Sequence, residues 1–404
     1  MFSLNMEGLK LLAVLILLIV LLFRRVNLAL TVALGAFILG ILFDVGVSGF
    51  WEAFKLTAGS MVVWRIISIV ILVLFLNGLL RDTGALQRMV HRLSDIIGDK
   101  RAVIFFPPMI VGFLPMPAGA LFTASLTDKI GEDLTIPSGL RHFINYWFRH
   151  VWEFSLPVYP SVILEASLLG VSLISVASHQ WFFVFIAMIL GVLFSWFRFP
   201  KPDVREKLSL TPIKLLKLAK TIWPILLVLF GFLIFKINIV ILLLIAVFGE
   251  ILFERLSLSK VKEIFNSSVE LNLPLAVFVI YYFQSMLKVS NAVYVVPNML
   301  KGADVPLLFS LFFFPFLISF MTGMTTAGVA ISFSVLAPLM GNPVDLKLAA
   351  WTFVSGYSGH LLSPFHLCLI TTKEYYKVTW LRVYKEIFPA VAAILAIALV
   401  ITLI

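Results

Sequence analysis

Apolar segments of bilayer length succeed one another along this chain. They lie near residues 9–23, 28–43, 61–80, 159–177 and 181–198, and again near 222–236, 239–253, 272–288, 365–380 and 388–404. In hydrocarbon every backbone N–H and C=O must find a partner within the protein, so only helices and closed barrels cross a membrane. These segments are too long for tilted membrane strands and suit helices. The expected fold class is an all-α polytopic membrane protein. Composition agrees: 61% of residues are hydrophobic and 13% charged, which lies outside the range of soluble domains. The net charge of +10 does not point to nucleic acid, because the basic residues sit in short loops where they set topology. The single cysteine, Cys368, excludes an intrachain disulfide and a multi-cysteine metal or redox site. The first apolar stretch follows neither a basic leader nor a small-residue cleavage site, so it is expected to remain as a span.

Two further apolar regions, 102–128 and 305–340, carry breaks. The first contains "GFLPMPAGALFTAS", with Pro115, Pro117 and Gly119 close together, and the second "SFMTGMTTAGVAIS". If 102–128 crossed the membrane, Arg81, Arg88, Arg92, Lys100 and Arg101 would face the side opposite Lys201, Arg205, Lys207, Lys214, Lys217 and Lys220. If it enters and leaves on one side, both clusters become cytoplasmic, as the positive-inside rule prefers. The first break is therefore expected to be a re-entrant hairpin tip dipping in from the cytoplasm and the second a tip dipping in from outside. Lys301 and Lys347 then lie on the outer side. Both termini are expected outside, in a plasma membrane.

A shift of 207 residues carries Asn77 to Gln284, Gly84 to Asn291, Pro108 to Pro315, Phe113 to Phe320 and Pro157 to Pro364. The order of features is the same in both halves, and an odd number of crossings per half requires the second copy to be inverted. The expectation is two inverted repeats of five transmembrane helices plus one re-entrant hairpin each, residues 1–199 and 222–404, joined by a basic cytoplasmic linker, 200–221.

Non-helical backbone at membrane depth is tolerated where it is buried in protein or lines a hydrated cavity. Four breaks qualify: the two tips, "WEFSLPVYP" at 152–160 and "SGYSGHLLSPFH" at 355–366. Half-helices meeting there would aim N-terminal amides and C-terminal carbonyls at one region. The candidate solute-binding residues are Pro117, Ala118, Gly119 and Thr123 in the first hairpin and Thr322, Gly323, Thr325, Thr326 and Gly328 in the second. Small residues also serve simple close packing of helices. Arg149 and Glu153 stand four apart beside His150, either as an ion pair that stabilises the helix or as an anion-binding arginine next to a proton- or cation-carrying glutamate. Glu165, near mid-span, is a second candidate for ion coupling. His360 and His366 flank the fourth break and join the candidate solute site, and Asn77 and Gln284 are expected to bridge helices.

There is no HExxH motif and no G-x-x-x-x-G-K-[ST], so neither a protein-held metal nor ATP-driven transport is expected. The reading is an ion-coupled secondary transporter of a small anionic solute. It is not expected to be an enzyme, to bind nucleic acid or to carry a cofactor beyond a coupling proton or sodium ion. The alternatives are a cation/proton antiporter and, more remotely, an intramembrane metal-dependent hydrolase using the histidines and Glu153.

This layout resembles the ion transporter superfamily and, within it, the integral-membrane family called domain of unknown function 401. The resemblance covers nearly the whole chain. It implies a transport domain of residues 101–199 and 305–404 moving like an elevator against a scaffold of 1–100 and 200–304, and a homodimer held through the scaffold. The tips read "PMPAGA" and "TGMTTAG" where divalent anion symporters of that superfamily carry Ser-Asn-Thr.

Overall fold

The computed structural model describes residues 6–94, 96, 99–113, 119–199, 211–295 and 305–404. Pro115, Pro117, Ala118, Lys201, Arg205, Lys207 and Lys301 lie outside the described residues, and with them much of the first hairpin tip and of the linker. The described residues are mostly helical, with no strand among them. The first half comprises α1 (Met6–Phe23), α2 (Leu28–Leu42), α3 (Gly46–Ala58), α4 (Met61–Asp82), α5 (Ala85–Ser94), α6 (Lys100–Val103), α7 (Phe106–Gly112), α8 (Gly119–Asp133), α9 (Ser138–His150), α10 (Pro160–Leu168) and α11 (Leu173–Trp196). The second comprises α12 (Pro212–Leu233), α13 (Ile239–Phe253), α14 (Leu258–Ser268), α15 (Asn272–Val289), α16 (Leu307–Thr322), α17 (Thr325–Leu336), α18 (Leu346–Leu362), α19 (Leu367–Tyr376) and α20 (Trp380–Leu403). By length and composition, α1, α4, α11, α12, α15 and α20 are able to cross a membrane. Ile241, Leu244, Ile245 and Phe248 of α13 are exposed. Such a row of aliphatic and aromatic side chains suits hydrocarbon rather than water, as in a polytopic membrane protein.

Several boundaries differ from those read from hydropathy. Segment 159–177 is not one span. Its helix α10 ends at Leu168, Gly170 takes a left-handed conformation (φ +68°), and Ser172 caps α11 by accepting from the Ser175 N–H at 3.1 Å. The following membrane helix accordingly starts at Leu173 and not near 181. The same happens after Tyr376, where Lys377 is left-handed and Thr379 caps α20. The linker is shorter than 200–221, because Thr211 accepts from the Lys214 N–H and Pro212 opens α12 ten residues before residue 222. A hydroxyl at the N-cap followed by proline at the first helical position is a strong helix start. Hydropathy misses it because the first turns of α12 are basic. In 355–366 the chain stays helical to Leu362, so the break is confined to Ser363–His366.

The second half retraces the first in its turns. Left-handed residues recur in pairs: Arg25 with Lys236 and Asp44 with Arg255 at a shift of 211, and Gly84 with Asn291 and Gly170 with Lys377 at a shift of 207. Asn27 and Asn238 cap α2 and α13 in the same way, accepting from the N–H groups of Ala29 (2.8 Å) and Val240 (2.9 Å). Packing between the halves is reciprocal. Helix α4 lies against α13 and α14, and its counterpart α15 lies against α2 and α3. Likewise α10 packs on α17 as α19 packs on α8, and α11 on α18 as α20 on α9. Most helix–helix contacts fall within two groups, one of α1–α5 with α12–α15 and one of α7–α11 with α16–α20.

Close approaches rest on small residues. A Cβ at Gly78 would fall on Ser268 of α14, one at Gly191 on the Trp147 ring, and one at Gly359 on the Phe316 carbonyl. In lipid, where apolar surface has little to gain by leaving the solvent, such van der Waals contact between backbones is a main source of helix association.

Candidate functional site

The two broken segments meet in the second group of helices. Helix α9 ends at His150, a short 3-10 turn covers Val151–Phe154, and the chain is irregular until Pro160 opens α10. On the other side α18 ends at Leu362 and α19 starts at Leu367. Prolines shape both: Pro157 and Pro160 in the first and Pro364 in the second lack a backbone N–H and cannot continue a helix laid before them.

The second hairpin tip closes on the second break. Thr322 ends α16, Gly323 adopts φ +67° and ψ +23°, and Thr325 begins α17. A side chain at Gly323 would collide with the Phe365 carbonyl and the His366 amide nitrogen, so bare backbone lies here against bare backbone. The first hairpin behaves likewise on its α7 arm. The Gly112 carbonyl accepts from the Tyr159 hydroxyl at 2.5 Å, and a Cβ at Gly112 would meet the Arg149 carbonyl.

Between these elements lies a buried polar cluster. Arg149 and His150 are each 3% exposed, His360 6% and His366 5%, while Glu153 is half-buried. The Arg149 guanidinium donates to the Tyr159 hydroxyl at 3.1 Å. The Glu153 carboxyl faces the hydroxyls of Thr325 and Tyr357. The rings of His360 and His366 are 3.7 Å apart between centroids, and those of His150 and His366 4.9 Å.

The hydrogen bonds decide which imidazole nitrogen carries the proton. His150 Nδ1 lies 2.6 Å from the Tyr146 carbonyl and His360 Nδ1 3.0 Å from the Gly323 carbonyl. A carbonyl only accepts, so both rings donate from Nδ1. His366 Nδ1 lies 2.8 Å from the Tyr146 hydroxyl, which already donates to the Leu361 carbonyl at 2.9 Å and so accepts from the ring. In the neutral imidazoles of His150 and His360 Nε2 is then a lone-pair site.

Sequence-derived candidates divide on this geometry. Arg149, Glu153, His360, His366, Gly323 and Thr325 come together. Thr326 is half-buried in the first turn of α17 and Gly119 is buried at the start of α8. Thr322 makes a local turn bond, accepting from the Met324 N–H at 3.2 Å. Thr123 is committed to helix packing, donating to Asn145 at 2.7 Å, an amide that also receives Thr127 at 3.1 Å. Gly328 lets the two arms of the second hairpin touch at Ser319. Glu165 is buried on α10 and accepts from Gln180 of α11 at 2.6 Å, and no ion pair involves it among the described residues. Pro117 and Ala118 lie outside the described residues.

The residues missed by sequence reading are Tyr146, Tyr159 and Tyr357, which orient the cluster, and Cys368, buried two residues beyond His366. The available signal was the 207-residue shift, which carries His150 onto Tyr357 and Tyr159 onto His366.

Two triads have the geometry to hold a metal ion: His150, Glu153 and His360, and His150, His366 and Cys368. In each, the three ligand atoms lie within 4.8 Å of one another.

The family described as "Protein of unknown function (DUF401)" matches residues 7–404, so this chain belongs to that family over nearly its whole length. A comparison with curated proteins finds no match.

Proposed function

We propose that this DUF401 member is an ion-coupled secondary transporter of a small anionic solute. The observation that carries the reading is the meeting of two helix breaks and a hairpin tip around a buried cluster of one arginine, one glutamate and three histidines. Irregular backbone inside an apolar helical protein is a device for binding solutes at membrane depth. Ionisable groups placed there are costly and default to a functional role. In this reading Arg149 supplies the positive charge for the solute, together with the N-terminal amides of α10, α17 and α19. Glu153 carries the coupling proton or sodium ion. Glu165 is a second carrier candidate, placed outside the cluster.

The two halves act as inverted repeats, supported by their matching turns and reciprocal packing. The reading further assigns α7–α11 and α16–α20 to a moving transport domain, the remaining helices to a scaffold, and the whole to a homodimer in a plasma membrane with both termini outside. The separation of contacts into two groups supports that division of labour.

The test is uptake into liposomes holding the purified full chain, driven by an imposed proton or sodium gradient, across a panel of organic carboxylates and oxyanions. Gradient-dependent uptake of one solute, lost in Arg149→Ala, is the expected result. A gradient-driven change of internal pH with no solute added would instead identify a cation/proton antiporter. Folded protein with neither activity overturns the reading.

A further inference from the structure

We propose that the buried histidine cluster is a transition-metal site, in which His150, Glu153 and His360 hold a zinc-class divalent cation. His366 and Cys368 form, with His150, a second ligand set alongside it. This goes beyond the transport reading and does not depend on it.

Ligand chemistry comes first. Imidazole nitrogen and carboxylate oxygen suit zinc and its first-row neighbours, and an additional thiolate favours zinc over magnesium or calcium, which prefer all-oxygen shells. Three protein ligands with one position left open is a common arrangement for an exchangeable zinc. The Thr325 and Tyr357 hydroxyls stand beside Glu153.

Preorganisation is the stronger argument. Metal-binding histidines almost always donate their second ring N–H to a carbonyl, a carboxylate or water, which fixes the tautomer and the ring plane. His150 does so to the Tyr146 carbonyl and His360 to the Gly323 carbonyl, and His366 does so to Tyr146 Oη. His150 and His360 are thus held with Nε2 unprotonated inside a buried cluster, and a carboxylate oxygen of Glu153 groups with both rings within 4.8 Å. A cation bound between His150, Glu153 and His360 gives their ligand atoms one shared partner.

Distances allow it. Bonds of about 2.1 Å to a tetrahedral ion place ligand atoms about 3.4 Å apart, so closing a triad whose atoms lie within 4.8 Å requires side-chain shifts of about an ångström. The charge of Glu153 offsets part of the charge of the ion. The guanidinium of Arg149 is engaged by Tyr159.

The test is equilibrium metal binding to the full chain in detergent, which needs no transport and fails or succeeds separately from it. Chelator-stripped protein is loaded with Zn²⁺ or Co²⁺, desalted and analysed by elemental mass spectrometry. One ion per chain is expected, with the intense visible absorption of four-coordinate Co²⁺. Glu153→Gln and His360→Gln should each lower the content to a tenth or less, whereas the exposed-histidine variant His91→Ala/His179→Ala should retain it. Cys368→Ser should keep full stoichiometry, and the cobalt spectrum should lack a thiolate charge-transfer band. The side chain introduced by His360→Gln can still donate to the Gly323 carbonyl, so the fold of this variant is expected to persist, and if it does not, Glu153→Gln decides alone. Equal metal content in wild type and Glu153→Gln, or weak octahedral cobalt bands, overturns the proposal.

Discussion

The Tyr357 hydroxyl donates to the His150 carbonyl across 2.6 Å, and the two residues stand 207 positions apart, at matching places in the two halves of the chain. This hydrogen bond ties α18 of the second half to the end of α9 in the first, within the polar cluster. Tyr357 also packs edge-on against Phe154 at 4.6 Å, so its ring is held independently of its hydroxyl.

Tyr357→Phe keeps that ring packing and removes only the donor. A buried carbonyl left without its partner costs about 1–3 kcal/mol, so the variant should melt measurably below wild type in detergent. An unchanged melting temperature would mean that the contact contributes nothing to stability.

Gly323→Ala meets two obstacles. A left-handed conformation costs an L residue about 1–2 kcal/mol, and here the new methyl also falls on the Phe365 carbonyl. Gly170 has nearly the same φ with open space around it, so Gly170→Ala isolates the first effect. Thermal unfolding should rank Gly323→Ala well below Gly170→Ala, and equal losses would contradict the close approach of tip and break.

Arg149→Lys retains a positive charge but loses the planar fork that reaches the Tyr159 hydroxyl and a solute together. Uptake of the anionic solute should fall about tenfold or more, the scale of one lost charge-assisted hydrogen bond, while the protein stays monodisperse. Wild-type uptake in this variant would remove Arg149 from the solute site.

Replacing Glu153 and Glu165 separates the two carrier candidates. Glu153→Gln, inside the cluster, should abolish the dependence of uptake on the ion gradient. Glu165→Gln replaces a side chain that accepts a hydrogen bond from Gln180, and it should keep that dependence. The reverse pattern would move ion coupling to α10 and α11.

Inversion of the halves is open to labelling, since Cys368→Ser yields a chain without cysteine. On that background Lys129→Cys, exposed near the end of α8, should react only with a reagent supplied from the cytoplasm, and Lys347→Cys, exposed at the start of α18, only from outside. Labelling of both from one side would rule out hairpins that open in opposite directions.

Much of the fold was legible in residue order. The Thr322–Gly323–Met324 turn announces a helix break through left-handed backbone, which is a property of a few adjacent residues. Arg149 and Glu153 were legible as candidates because ionisable groups are costly in an apolar chain. The start of α12 was not, since a basic first turn hides its cap from hydropathy. Nor was the division between Thr325, which reaches the cluster, and Thr123, which bonds Asn145, because hydroxyl side chains in similar settings differ only in what packs against them.

The sequence by itself determined an all-helical, membrane-type chain with breaks at particular places, because backbone pairing in lipid and proline geometry act over a few residues. Only the tertiary structure decided that Gly323 lies on Phe365, that Tyr146 serves His366, and that His150, Glu153 and His360 converge. Those contacts join segments tens to hundreds of positions apart, and they depend on which glycines let helices approach and which side chains fill the space left between them.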